Sequence, residues 1–197
     1  MSQEVGLQNP VDVPVAGSIE RWCWDFVGAC DLGSKLCPHA PPDARDDARW
    51  ELDPPERRLH APGRPRELRI TARSPRRPGA GGLARPGARA QLLHTFLHHE
   101  LQAAELFAWA VLAFPETPRA FRAGLLRLCG EELVHLALYR VELERLGFAP
   151  GSFVVRDWFW ERVPRCTSGV SFVALQGLGL EGANLEHSAR YAALFRA

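Results

Sequence analysis

A glutamate and a histidine one helical turn apart are the residues of this chain best suited to bind a metal ion. Glu132 and His135 lie three positions apart in the segment Pro118–Leu146, whose apolar spacing predicts a helix. Residues three apart share one face of a helix, so this carboxylate and imidazole can hold one ion together. The alternative interpretation is an ordinary hydrogen-bonded or solvated pair of side chains.

A second glutamate lies on the preceding predicted helix, at a matching distance from the turn between the two. Glu100 is fourteen residues before Phe114, and Glu132 is fourteen residues after Pro118. At about 1.5 Å per residue each glutamate is roughly 21 Å from the turn, so an antiparallel hairpin brings both carboxylates to one level. A helix that supplies Glu beside one that supplies Glu-x-x-His forms half of a four-helix di-iron carboxylate site.

Apolar stripes predict three long helices, over residues 90–114, over 118–146 and from Ser171 to the end of the chain. Glu100 and Glu181 each interrupt an apolar stripe, and a buried carboxylate costs several kcal/mol unless it is paired or binds a metal. The predicted metal ligands are Glu100, Glu132, His135 and Glu181, a set of donors that suits iron or manganese. The alternative is that each glutamate pairs with a buried arginine or histidine, or faces solvent. His98, His99 and Glu105 point to other faces of the first helix and are predicted to lie outside the ligand set.

The first 89 residues predict an irregular extension, and residues 90–197 a helical domain. Ser18 can cap a short helix, whereas repeated Pro and Gly interrupt any regular element over 38–89. Twelve arginines lie between Arg45 and Arg89. This stretch is either an arm that wraps the helical body or a mobile linker, and Arg64-Pro65-Arg66 and Arg76-Arg77 offer an alternative role in contacting phosphate.

Composition narrows the class of protein. The 197 residues are 46% hydrophobic and 24% charged, with a net charge of +1, so no overall field favours nucleic acid. The longest apolar run, Leu106–Phe114, is far too short to span a membrane, and the N-terminus lacks the form of a signal peptide. We therefore expect a cytoplasmic protein with no membrane partner.

Five cysteines are expected to be reduced thiols. Cys23, Cys30 and Cys37 are spaced by seven residues, which would align them on a helix. A zinc or redox site at these three is the alternative, although the chain contains no Cys-x-x-Cys pair.

Several segments resemble the ferritin-like superfamily, and most closely an uncharacterised bacterial ferritin-like family. They are His-Thr-Phe-Leu-His-His-Glu-Leu-Gln-Ala-Ala-Glu-Leu at 94–106, Glu-Glu-Leu-Val-His at 131–135, Arg-Asp-Trp-Phe-Trp-Glu-Arg at 156–162 and Gly-Leu-Glu-Gly-Ala-Asn-Leu-Glu-His at 179–187. The resemblance is strongest over 90–197. It implies an all-α, ferritin-like bundle that binds two iron ions, or manganese. It also implies an oxygen-dependent redox role, as a di-iron oxidoreductase or oxygenase of unknown substrate. The alternatives are a di-iron hydroxylase of tRNA or of a small molecule, with the basic arm on nucleic acid, and a non-catalytic helical scaffold with a degenerate metal site.

One departure from the superfamily pattern concerns the fourth main helix, which in ferritin-like proteins contains a second Glu-x-x-His. No such motif follows Glu181, and Glu186 and His187 are adjacent rather than three apart. We expect that the sequence is a fragment of a longer protein, with a fourth helix supplied by a partner as the alternative. Three helices leave an apolar seam open, which favours a homo-oligomer.

Overall fold

The protein is all-α, as the sequence predicts. The structure is a computed structural model, and it describes residues 13–73, 82–181 and 191, including every side chain there except those of 180 and 181. In these ranges the helices are α1 (Ile19–Gly28), α2 (Leu32–Leu36), α3 (Pro86–Ala113), α4 (Arg119–Arg145) and α5 (Gly169–Val173), with a π-helix at Ala174–Glu181 and 3₁₀ turns at Asp47–Arg49 and Val163–Arg165. The described residues form no strand, and their one β-bridge joins Ile70 to Val155.

Helices α3 and α4 pack against each other and form the hairpin that the sequence predicts. Helix α3 begins at Pro86, four residues before the predicted start, because proline is well suited to the first turn of a helix. Helix α4 ends just before Gly147, whose φ of +83° is the left-handed conformation that stops a helix. Every residue from 101 to 114 is buried, so this half of α3 is the centre of the hydrophobic core.

The N-terminal helix α1 covers one side of α3. Ser18 caps it, as predicted, by accepting a hydrogen bond from the backbone N–H of Arg21. Its buried apolar residues lie at helical spacing, namely Ile19, Cys23, Phe26 and Val27. Helix α1 therefore shares one core with the hairpin.

Residues 38–73 form an arm that lies against the helices, which is one of the two expected arrangements. The backbone N–H of Arg57 donates to the carbonyl of Leu112 at 3.0 Å, and that of Gly63 donates to Val27 at 2.8 Å. Within 38–73 the only helical element is the turn Asp47–Arg49, so the prediction of little regular structure is confirmed there. Of the rest of that prediction, residues 74–81 lie outside the described residues, and it is wrong for 86–89, which belong to α3.

The third predicted helix starts as expected and then changes type. Ser168 and Ser171 form a capping box at the start of α5, and the ring of Phe172 lies 5.9 Å from that of Phe107 in α3. The chain then continues as a π-helix rather than the predicted α-helix. Glycines at 177 and 179 weaken the preference for a regular α-helix, and π-helical turns are frequent at functional sites. The rest of this prediction, over 182–190 and 192–197, lies outside the described residues.

None of the described helices combines the length and apolar character needed to cross a membrane.

Candidate metal centre

The hairpin brings together three of the four predicted ligands. Glu100 lies on α3 and faces Glu132 and His135 on α4, and each residue offers a ligand atom within 4.8 Å of the other two. His135 Nδ1 is 3.2 Å from Glu132 Oε2 and 3.7 Å from Glu100 Oε2. The predicted register of the two helices is therefore confirmed, whereas the role of these residues as metal ligands stays a prediction.

The spacing of these atoms fits a single metal ion. Donors that each bind an ion at about 2.1 Å are about 3.0 Å apart along the edge of an octahedron and about 3.4 Å apart in a tetrahedron. The separation of 3.2 Å lies between these two values, and that of 3.7 Å exceeds the tetrahedral value by about 0.3 Å and the octahedral one by about 0.7 Å, while the ligand atoms of Glu100 and Glu132 lie within 4.8 Å of each other. Small side-chain rotations would therefore bring all three donors onto one ion, and two carboxylates with one imidazole suit iron or manganese.

The cluster is closed on the hairpin side and open at its rim. The side chains of Glu100 and Glu132 are 17% and 10% exposed, whereas that of His135 is 54% exposed. Small molecules therefore have access from the His135 side, while the carboxylates are held within the helix pair.

Aromatic rings flank the cluster. Tyr139, one turn beyond His135, has its pKa raised by burial and by the nearby Glu100 and Glu132 carboxylates. The Tyr139 ring lies 5.6 Å from that of Phe96, which also contacts Tyr191 at 5.2 Å. Tyr191 therefore lies against α3, one turn from Glu100.

The fourth predicted ligand, Glu181, is the last residue of the π-helix. Its side chain lies outside the part of the chain whose side chains the structure describes. Its assignment as a ligand therefore stays a prediction.

A second glutamate of α3 has a different environment, which the sequence did not predict in full. Glu105 is completely buried and accepts hydrogen bonds from Lys35 at 2.8 Å, from Arg64 at 2.6 and 2.9 Å, and from the indole of Trp160 at 2.8 Å. Burial raises the pKa of Glu105, but the charges of Arg64 and Lys35 outweigh it and lower that pKa overall. The expectation that Glu105 pairs outside the cluster is confirmed, and the phosphate-binding interpretation is wrong for Arg64.

Arg64 also extends this buried network to Asp157 and His98. The guanidinium lies 2.9 Å from Asp157 Oδ1, which is in turn 2.9 Å from His98 Nε2. Burial raises the pKa of Asp157, but hydrogen bonds from His98 and Arg64 outweigh it and lower that pKa to about 2. Burial lowers the pKa of His98 below its usual value. As the sequence indicated, His98 is outside the Glu100 cluster, and here it supports the ion pairs that fasten the arm to α3.

The cysteines are free thiols, as expected. Cys23, Cys129 and Cys166 are buried, and Cys30 and Cys37 are exposed. Helix α1 ends at Gly28, so the spacing of seven does not align the first three on one helix. Among the described residues, the Glu100 cluster is the only group with metal-ligand spacing, so the zinc alternative is not supported.

Fold and site together define an all-α protein with a carboxylate–imidazole cluster between two long antiparallel helices. The family described as Protein of unknown function (DUF455) matches residues 37–197, which is most of the chain, and the chain belongs to this family. No curated protein matches the chain, and no solved structure does. The family match includes the arm, the hairpin and all four predicted ligands.

Proposed function

We propose that this protein is a ferritin-like metal-binding protein, with a dinuclear iron or manganese site and an oxygen-dependent redox role. The observation that supports this function is the meeting of Glu100 with the Glu132–His135 pair from an antiparallel helix. This arrangement is the half-site that di-iron four-helix bundles use twice.

Electrostatics favours a cation at this point. Two carboxylates that converge on one imidazole repel each other, and low exposure of both strengthens the repulsion. A divalent cation removes that repulsion and gains two anionic ligands. Metal binding is therefore the role that best accounts for these three side chains.

The chain's own residues set what a bound metal can do. Iron at this position would supply redox chemistry with oxygen. Glu100 and Glu132 would neutralise the charge of the ion, and His135 would fix its position at the open rim. Three donors suffice for one ion, so a second ion requires further ligands, and Glu181 is our candidate for one of them.

Metal content measured on matched variants tests the proposal. Purified chain is loaded anaerobically with Fe(II) or Mn(II), desalted and analysed by elemental mass spectrometry. We expect about one ion per chain at the cluster and at least about tenfold weaker binding in Glu132→Gln, because ligand loss typically costs this much or more. The control is Glu131→Gln, which removes the adjacent exposed carboxylate of the same helix. Equal metal content in both variants would overturn the proposal.

Oxygen uptake tests the redox part separately. The iron-loaded chain is expected to consume dissolved oxygen, and Glu132→Gln and the manganese-loaded chain are expected to consume much less. Metal binding without oxygen uptake would leave a structural metal site and refute the redox role. A chain that binds no metal would leave the scaffold alternative.

The tRNA hydroxylase alternative depended on a basic arm that is free to contact nucleic acid. Arg64 is held by ion pairs to Glu105 and Asp157, which removes it from such a surface. Arg64 therefore gives no support to that alternative.

A further inference from the structure

An apolar stripe runs along the solvent side of α4. Val134, Leu138 and Val141 are 61%, 62% and 41% exposed. Their spacing of four and three residues places them on one helix face, over a length of about 10 Å. Three neighbouring exposed aliphatic side chains on a charged helix are a feature of helices that pack against another surface.

Charged residues border this stripe at both ends. Arg127 and Glu131 form an exposed ion pair on its N-terminal side, and Glu142 and Arg145 form one on its C-terminal side. Along the helix, a positive and a negative residue precede the apolar stripe, and a negative and a positive residue follow it. A second copy packed in parallel would place each charge opposite a like charge.

We propose that the α4 stripe is the contact surface for a second copy of this chain, packed antiparallel about a twofold axis at Leu138. In that arrangement Leu138 meets its own copy, and Val134 packs beside Val141 of the other chain. Glu131 lies opposite Arg145 of the other chain, because these residues are seven positions before and after Leu138. Both the apolar and the charged parts of the surface are therefore self-complementary, as a twofold interface requires.

His135 lies about 100° around α4 from Val134, so it is at the edge of this contact. The stripe is short compared with stable interfaces, which bury about 1,200 Å² or more, so we expect a reversible, concentration-dependent dimer. The dimer does not rest on metal binding.

Charge exchange on metal-free protein provides a specific test. Glu131 and Arg145 are roughly 21 Å apart on their own helix, so they cannot pair within one chain. Sedimentation equilibrium in chelator should show that Glu131→Arg and Arg145→Glu each weaken the dimer by about tenfold or more, because each creates like-charge contacts twice per dimer. The double exchange should restore the wild-type dissociation constant to within about threefold.

Further variants separate this surface from others. Leu138→Glu should abolish the dimer, because it places two carboxylates on the twofold axis. Val170→Glu alters a residue of α5 that is 82% exposed and should leave the dimer unchanged. Circular dichroism should show that all variants are folded, since each changed side chain is exposed. A wild-type monomer up to about 1 mM, or a double exchange that does not restore the dimer, would overturn the proposal.

Discussion

The replacement of Glu105 by Gln should destabilise this protein far more than the same replacement of Glu100, five residues earlier on α3. Glu105 is completely buried and is the common acceptor for Lys35 and Arg64. Glutamine keeps the shape of the side chain but removes its charge. The Lys35 ammonium, which is also fully buried, would then lose its only ion-pair partner among the described residues.

The expected magnitude follows from these contacts. Loss of one partner of a buried ion pair typically costs about 3–5 kcal/mol, because the remaining charge is left buried without compensation. For a chain of this length, a loss of about 3 kcal/mol lowers the melting temperature by roughly 6–12 °C. Glu100→Gln leaves no fully buried charge without its counter-ion, because the side chains of Glu100 and His135 are 17% and 54% exposed, so in metal-free protein its effect should be smaller, about 1 kcal/mol or less.

Urea unfolding of metal-free protein, followed by circular dichroism, measures both effects. A third variant, Lys35→Met in the Glu105→Gln background, removes the ammonium, which without Glu105 keeps only its hydrogen bonds to the carbonyls of Phe26 and Val27, and should recover part of the loss. The reasoning is refuted by a cost below about 1 kcal/mol for Glu105→Gln, or by equal costs for the two glutamates.

Two further predictions concern the arm and the pH dependence of stability. A Cβ on Gly63 would lie 2.2 Å from the carbonyl oxygen of Gly28, so Gly63→Ala should lower the free energy of unfolding in urea by about 1–3 kcal/mol. The control is Gly124→Ala in α4, where a Cβ meets no atom within 4 Å, and it should stabilise the protein by up to about 1 kcal/mol. Burial lowers the pKa of His94 from 6.5 to about 4. Between these pH values the unfolded state binds more protons than the folded state, so the free energy of unfolding should fall by about 3 kcal/mol as the pH falls from 6.5 to 4. The pKa of Asp157 is lowered from 3.8 to about 2, so a further loss of about 2 kcal/mol should follow as the pH falls from about 4 to 2. A flat stability profile between pH 6.5 and 4, or an unchanged profile in His94→Gln, would contradict the assignment to His94.

The sequence by itself determined the hairpin and the register of its site. A short turn joins two predicted helices, and the rise per residue of a helix is nearly constant. Residues equally far from the turn along the sequence therefore lie at the same level of the hairpin, which places Glu100 beside Glu132. His135 then followed from its position one turn along the same face. The helix ends were also predictable, because Ser18 and Gly147 act through local hydrogen bonds and local backbone conformation.

Only the tertiary structure decided which charges Glu105 meets. Glu100 and Glu105 are both on α3, and the sequence placed Glu105 only on another face without identifying its partners. Those partners, Lys35 and Arg64, are 70 and 41 residues away along the chain, in segments whose own patterns predict no fixed position. Helical geometry gives the direction in which a side chain points. The charged group that the side chain contacts depends on which distant segment packs against that face of the helix, and this packing depends on the folding of the whole chain.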